Sequence, residues 1–524
     1  MSWEATAKEA QAAVLEAIPA RWRLDVDEYS SLKDVTSVPY ASGIMSTEQL
    51  QITELTAVEI VKRIKSRELK AVQVLEAFAA RAAIAHQLVN CLTCWFFENG
   101  LEQAKELDEH LDKGTLVTTG FVANRNNIVD HDSTIIWTLQ EAGVIFFCKT
   151  TMPQSAMALE TVSNLWGRTT NPYNRDLVAG GSSGGDAVLV AMRGSAVTPS
   201  TDLGGSIRFP AAVNGLYAIR PTSDRVPKGD MDSTNTGNLT IKLSFGPVCH
   251  SLGDLELLTK IINAHPLNKY DVTSVPVPWR SLDALDRKLT VGIMKWDGVV
   301  MPHPPVLRAL EHTKQTLEKA GHEVVMFEPP FHCWDVMKTT FDVYFPSGVD
   351  DIMSVMAASG EPIIPAFADV LNVFKPREQS AAEALRSNRK IRALKEEFAD
   401  AWDFTASYTI SGRTIDALIV PPAPAVGYPH DFNIYWGYTS LFNAVDYPSV
   451  ILPIPGFKVD PELDPVDDNY RPLETNPYDK PNHELYHPNL FVNQPSTIQI
   501  IGRPFEDEEV VRVASILDTL FKDS

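Results

Sequence analysis

Cysteine is scarce in this chain of 524 residues: Cys91, Cys94, Cys148, Cys249 and Cys333 are an odd set spread over a great length. A disulfide framework needs a dense, even set, so that class is excluded. Cys91 and Cys94 form a C-x-x-C pair, but no second pair or histidine cluster follows at zinc spacing. Within VNCLTCWFF, an apolar strand-like run, they read as buried structural residues, and no metal or other cofactor is expected. Basic charge is also short, 46 Lys+Arg against 67 Asp+Glu for a net charge of -21. A protein that tracks nucleic-acid phosphates or an anionic membrane needs a basic face, so both partners are excluded. The chain has no apolar run of about 18 residues, and MSWEATAKEAQAAVLEAIPARWRL lacks a basic segment followed by an apolar one. The expectation is a soluble, cytoplasmic protein. Hydrophobic residues at 44% and charged residues at 22% exclude disorder and fibre and leave an enzyme-sized globular chain.

What is present is α/β patterning without a repeat or a clean linker, which predicts one large domain, 1–524, in three parts. Residues 1–113 read as helices over 5–20, 56–66, 71–86 and 101–111, each with apolar residues at three- and four-residue spacing. A core over 134–265 mixes a helix (135–142), a strand (144–148) and a helix opening after GGSSGG. Over 289–524 a strand (289–295), helix (304–320) and strand (322–327) form a β-α-β unit. A long helix (380–402), strands at 417–420 and 449–454, a Pro/Asp/Asn-rich surface excursion (460–488) and a final helix (506–521) follow.

The most informative stretch is AGGSSGGDAVLVAMRGSAVTPSTDLGGSIRFPAAVNGLYAIRPT, Ala179 to Thr222. Glycines permit positive φ and close backbone approach, and successive N–H groups make an anion-binding concavity. A nucleotide-phosphate loop needs Lys and then Ser/Thr after its glycines, whereas Asp186 and Ala187 follow Gly185. Two readings in acyl transfer remain. Gly180 to Gly184 fits G-x-S-x-G, the nucleophile elbow of α/β-hydrolase esterases, with Ser182 as nucleophile and His250 or His303 downstream. That reading leaves the second hydroxyl cluster, Gly204-Gly205-Ser206, without a role.

The ordered series resembles the amidase signature family: GGSSGG at Gly180 to Gly185, STDLGGSIRFP at Ser200 to Pro210 and the closing Pro221-Thr222. CKTTMPQ (Cys148 to Gln154), WGRTTNPYN (Trp166 to Asn174), GPV (Gly246 to Val248) and QIIGRP (Gln499 to Pro504) fall in the same order. ITELTAVEIVKRI, MPHPPVLRALE (Met301 to Glu311) and ASGEPIIP (Ala358 to Pro365) are most similar to fungal acetamidases. Ser200 and Ala218 stand where the family has glycine. The resemblance implies an amidase-signature fold, a central mixed β-sheet flanked by helices on both faces. It implies hydrolysis of a small carboxamide to carboxylate and ammonia without metal or cofactor, and it is compatible with a homodimer. Residue by residue, Ser206 matches the acyl-forming nucleophile. Ser182 matches a serine after a cis peptide bond that relays protons to Ser206, and Ser183 supports the relay. The N–H groups of Leu203, Gly204, Gly205 and Ser206 match the oxyanion hole. Asp202 and Arg208 match residues that brace the turn, and Ala156 matches a position lining the acyl pocket.

One piece is missing. The family's third catalytic residue is a Lys in a strand reading about G-[VI]-P-[IL]-x-[VL]-K-D, expected soon after ELDEHLDKG. Instead TLVTTGFVANRNNIVDHDST follows, which matches the segment downstream of that strand. Arg125 is a poor substitute because Arg stays protonated, and Lys149 is the alternative amine. The reading is a deletion of about 20 residues near Val117 and Thr118, through an exon-boundary error or true loss, with residues 117–123 filling the vacant strand position. The competing class is therefore a catalytically impaired member that binds an amide or a partner.

Overall fold

The computed structural model describes residues 2–105, 115–116, 118–129, 131–231, 237–264, 271–272 and 274–523. Its centre is an eight-stranded mixed sheet in the spatial order Glu323–Met326, Thr290–Ile293, Ala417–Val420, Pro495–Ile501, Ser449–Lys458, Tyr217–Arg220, Ser244–Cys249, Val197–Asp202. The first three strands are parallel and every later pairing is antiparallel. Thr290–Ile293, the helix Pro304–Lys319 and Glu323–Met326 form the expected β-α-β unit.

Side chains alternate across a strand, and Ala417–Val420 shows the result in four buried residues. Ala417 and Ile419 join an apolar cluster with Leu310 and Leu317 of Pro304–Lys319 and Val510, Ala514 and Leu517 of the last helix, Asp507–Lys522. Leu418 and Val420 point the other way, into a cluster with Phe341 of Cys333–Tyr344, Phe398 and Trp402 of Ala381–Phe404 and Phe442 of Gly437–Val445. A strand apolar on both faces needs cover on both, and the helices supply it. The fold is α/β with helices on both sides of a mixed sheet.

The N-terminal helices carry conventional start signals. Thr56 Oγ1 accepts the Glu59 N–H (3.2 Å) while the Glu59 carboxylate accepts the Thr56 N–H (2.9 Å), a capping box. The helix Ala71–Val89 is rich in alanine, the best helix former, and its alanines from Ala77 to Ala85 are fully buried. It stops at Asn90, which takes φ +51° and donates from Nδ2 to the carbonyls of Trp166 (2.6 Å) and Arg168 (3.2 Å). The end of a helix thus anchors the WGRTT segment.

Three expectations change, and the surface excursion over 460–488 gains anchors. The strand expected over 144–148 is Cys148–Thr150, because only those residues meet Leu92–Trp95 in register; 144–147 run irregularly beneath them. The helix expected over 101–111 appears as Phe97–Lys105, and its remainder lies outside the described residues. The 460–488 excursion is pinned inward by two fully buried carboxylates. Asp464 pairs with Arg308 Nε at 2.6 Å, and Asp479, opening the helix Asp479–Leu485, accepts the Met301 N–H at 2.8 Å and the Tyr470 hydroxyl at 2.7 Å. Finally, of 117–123, Val117 lies outside the described residues and the rest is not a strand. Residues 118–127 turn, with Phe121 N–H on the Thr118 carbonyl (3.0 Å) and Gly120 at φ +76°. A Cβ on Gly120 would stand 2.5 Å from the Pro153 carbonyl, so the turn presses directly on 153–156. Phe121 and Val122 are buried, and their apolar bulk goes into the core rather than a ladder.

Candidate active site

Two glycine-rich turns meet at the inner end of the strand Val197–Asp202. The first contains the peptide bond Gly181–Ser182, which is cis, as the resemblance implied. Gly180 takes φ +78° with Pro210 Cα 2.5 Å from where a Cβ would be, so only glycine brings the turns this close. Thr161 Oγ1 donates to the Gly180 carbonyl (2.8 Å) and accepts the Gly184 N–H (3.1 Å), holding the start of the helix Gly184–Ala191. The Ser183 N–H donates to the Ser206 carbonyl at 3.2 Å, joining the turns, and the Ser183 hydroxyl reaches the Thr201 carbonyl at 3.4 Å. Ser182, Ser183 and Ser206 are all buried. The hydroxyls of Ser182 and Ser206, which the resemblance links in a proton relay, make no hydrogen bond to each other; the link between the turns is the backbone one.

The second turn is organised by Asp202. Its carboxylate accepts N–H groups from Gly205 (2.9 Å) and Ile207 (3.1 Å), Nδ2 of Asn443 (2.9 Å), and Nη2 (2.9 Å) and Nε (3.0 Å) of Arg208. Both Asp202 and Arg208 are fully buried. Burial alone would raise the Asp202 pKa, but the Arg208 charge and these donors carry it far below the ordinary carboxylate range. Arg208 also donates to the Thr439 carbonyl (2.9 Å), Gln499 Oε1 (3.0 Å) and Asn443 Oδ1. Gly205, at φ +133°, packs where a Cβ would stand 2.3 Å from Thr439 Oγ1. Tyr344 and Thr439 hydroxyls donate to the carbonyls of Leu203 and Gly204, both at 2.7 Å. One expectation shifts: the Gly205 N–H is taken by Asp202. Among the described residues, the N–H groups of Leu203, Gly204 and Ser206 are the ones in this turn with no protein acceptor.

Around these turns sit the remaining expected residues. Ala156, half-buried at φ +60°, lies in the 153–156 turn. That turn is held through Gln154, whose Nε2 donates to the buried Glu361 (2.8 Å) and whose Oε1 accepts the Ile364 N–H (3.1 Å). Ser200, standing where the resemblance has glycine, donates to Asp186 Oδ2 at 2.7 Å, and Thr150 donates to Oδ1 at 2.5 Å. Burial pushes the Asp186 pKa up to about 6 against those two hydrogen bonds. The histidines needed for a nucleophile elbow at Ser182 are occupied elsewhere: His250 Nε2 lies 2.7 Å from the Val190 carbonyl and His303 Nε2 2.7 Å from that of Asn482. Arg125 is ion-paired with Glu9 at the surface (2.7 Å).

Behind Ser182 and Ser183 lies a cavity of about 680 Å³. Its wall includes Lys149, Asp186 and Ser200 as well as Ile136, Leu139 and Leu258, but not Ser206 or residues 203–205. It adjoins the cis-peptide turn and the strand residues Val197 to Thr201 that lead into the second turn. The five cysteines are free, and among the described residues no group of three or more His, Cys, Asp or Glu could hold a metal ion. No helix among them is long and apolar enough to cross a membrane.

A mixed sheet with a cis-serine turn beside a carboxylate-braced glycine-serine turn defines an amide hydrolase class, and the family comparison agrees. The family model described as Amidase matches residues 73–511, so the chain belongs to the amidase family. It is similar to Amidase FG08078 of Gibberella zeae, 62% identical with 100% of both chains covered, and to the Acetamidase of Aspergillus oryzae, 34% identical with 99% of both covered. Among solved structures it is similar to fatty acid amide hydrolase, at TM-score 0.91 and 28% identity over 99% of this chain and 95% of that one. The alignment with the Gibberella zeae relative spans 544 positions while this chain has 524 residues, leaving about 20 positions as gaps in this chain. Sequence reasoning missed Tyr344, Thr439, Asn443 and Glu361, which brace the turns from 141 to 241 residues away.

Proposed function

We propose that the chain hydrolyses a small monocarboxylic acid amide through an acyl-enzyme on Ser206. The observation that carries this reading is the Asp202-braced turn, which among the described residues leaves the N–H groups of Leu203, Gly204 and Ser206 without a protein acceptor at a buried serine. Ser206 Oγ attacks the amide carbon as its proton passes to Ser182 and the Ser182 hydroxyl proton passes on toward the amide nitrogen, so that no charge rests on Ser182. The carbonyl oxygen becomes an oxyanion received by the three amides, each donor of this kind contributing about 3 kcal/mol to the transition state. Collapse expels ammonia, which takes the relayed proton, and water then cleaves the ester by the reverse relay. Gly205 serves conformation rather than donation in this reading, and Ala156 lies on the acyl side. The test is fluorophosphonate labelling of Ser206 together with ammonia release from acetamide. Ser206→Ala should lose both, and labelling that moves to Ser182 would overturn the assignment.

A second reading, an impaired member, is supported by one observation: a cavity, rather than a strand, adjoins Ser182 in a chain with about 20 alignment gaps. Loss of a general base lowers rates by about 10² to 10⁴. Single-turnover acylation of the purified chain at that level, with Ser206 still labelled, identifies this case.

A further inference from the structure

We propose that His430 is a positioning residue for Ser182: by bridging the buried Glu160 carboxylate to the Arg175 carbonyl, it fixes two chain segments that hold the cis-serine turn. The inference rests on the acyl-enzyme reading above, in which Ser182 relays the proton of Ser206. The first segment, 158–161, cradles the turn. A Cβ on Gly181 would stand 2.7 Å from the Ala158 carbonyl oxygen and 3.0 Å from the Glu160 nitrogen, so this backbone lies directly against the residue that precedes Ser182. Thr161 Oγ1 donates to the Gly180 carbonyl (2.8 Å), accepts the Gly184 N–H (3.1 Å) and lies 3.4 Å from the Ser182 carbonyl. The second segment, 175–178, leads into Gly180 and is tied to the chain before His430. There the Val178 N–H donates to the Tyr428 carbonyl at 2.8 Å, and Leu177 pairs with Pro429.

Glu160 and His430 join the two segments. The Glu160 carboxylate is fully buried and meets Nδ1 of His430 (3.0 Å), the Asp431 N–H (2.9 Å) and Nη1 of Arg168. Nε2 of His430 lies 3.0 Å from the Arg175 carbonyl. A carboxylate and a carbonyl only accept, so each ring nitrogen carries a hydrogen. Arg168 closes the knot with two hydrogen bonds to Asp431, at 2.7 and 2.9 Å. The charges then balance, Glu160 and Asp431 against Arg168 and His430, as a buried carboxylate requires. Arg168 cannot replace the ring, because its second arm goes to Asp431 rather than to the Arg175 carbonyl. Without the ring the 160-to-175 link is cut, and displacing a reacting group by about 1 Å costs on the order of 10² in rate.

The test follows fluorophosphonate labelling of Ser206 in the full chain over a range of probe concentrations, which separates the maximal rate from the half-saturating concentration. His430→Gln has donors on one atom only and keeps at most one of the two contacts. It should lower the maximal rate about tenfold or more and leave the half-saturating concentration within about twofold, because the pocket is intact and the relay is displaced. In a Ser182→Ala chain the same substitution should slow labelling by less than about twofold, since the group it positions is gone. Equal slowing in both backgrounds, or a loss that lies in the half-saturating concentration, makes His430 a structural residue and overturns the inference. Where Ser182→Ala takes no probe, the split between rate and concentration decides. If His430→Gln does not fold, His430→Lys keeps a cation beside Glu160, but its one nitrogen cannot stand at both ring positions, and it should show the same split. Failure of both variants to fold assigns the knot to stability and overturns the positioning role. Normal labelling of either folded variant overturns the inference and leaves the acyl-enzyme reading in place. A wild-type Ser206 that takes no phosphonate overturns that reading and the inference with it.

Discussion

Arg208→Met is the substitution with the most to say about how the second turn is held. It deletes the guanidinium that gives Asp202 two hydrogen bonds, at 2.9 and 3.0 Å, and that also reaches Thr439, Gln499 and Asn443. The Asp202 carboxylate would remain fully buried with the Gly205, Ile207 and Asn443 donors but no ion-paired partner, the Arg220 charge alone still favouring it. Removing one member of a buried pair costs about 3 to 5 kcal/mol, and the surviving donors place the expected loss near the lower end, about 3 kcal/mol. Urea unfolding followed by tryptophan fluorescence measures it. Asp202→Asn combined with Arg208→Met should lose less than the sum of the two single changes, because the double variant leaves no bare charge. The pH dependence has a fixed sign. The folded pKa of Asp202 lies below its unfolded value of about 3.9, so the pair's contribution is fully present above about pH 4 and is lost as pH falls through the folded value. Wild type keeps this contribution from pH 5 to 8, whereas in the variant burial raises the Asp202 pKa, so the gap should be widest near pH 8 and narrow as pH falls and the bare carboxylate takes a proton. A loss under about 1 kcal/mol at pH 8, or a gap that widens as pH falls, would refute the account of the turn as charge-braced.

Gly205→Ala should fold less stably and label at Ser206 at least about tenfold more slowly, since the new methyl meets Thr439 at a backbone angle suited to glycine; unchanged labelling kinetics would contradict the packing argument. Burial lowers the pKa of His86 to about 4, and its Nδ1 accepts the Leu92 N–H at 3.1 Å. Because the folded value lies below the unfolded one of about 6.5, the neutral ring's contribution is present above that pH and is lost as pH falls toward about 4. His86→Gln should accordingly lose less stability than wild type between pH 7 and 5, by up to about 2 kcal/mol in urea midpoints measured at both values. Glu361→Ala strips the acceptor from the Val122 N–H, Gln154 Nε2 and Asn164 Nδ2 and should cost about 2 kcal/mol or more in the same assay; a neutral result would mean water replaces the carboxylate.

The α/β class and most elements were legible because their apolar periodicity is local. Pro304–Lys319, Ala417–Val420 and Asp507–Lys522 all fall within three residues of where the pattern put them. The two glycine-serine turns were legible because their residues are consecutive and their order is distinctive. What the sequence hid was partnership at a distance. Nothing in the neighbourhood of Gln499 states that its side chain meets Arg208, 291 residues earlier, although QIIGRP itself stood out. Thr439 and Asn443 lie one helical turn apart on Gly437–Val445, a spacing that core positions share with functional ones, so only the fold reveals that both face the turn. The 118–127 stretch misled for the opposite reason. Its β-branched and aromatic residues carry strand propensity, but Gly120 and burial against Pro153 decide its conformation.

The position of Pro495–Ile501 in the sheet sets a clock on biosynthesis. This strand, the last to leave the ribosome, lies between Ala417–Val420 and Ser449–Lys458, with three strands outboard on one side and four on the other. Until it emerges, the sheet exists at most as two separate halves with facing open edges, the feature that invites pairing with foreign strands. Gln499 in the same strand also supplies a contact to Arg208, so the turn bearing Ser206 is translated long before its support. At about 5 to 20 residues per second, the 291 residues between them take about 15 to 60 s to translate. For that interval the nascent chain carries a half-built sheet and a serine turn that lacks its Gln499 contact, and incomplete sheets of this kind are prone to aggregate. A chain cut short before Pro495 would stay in that state.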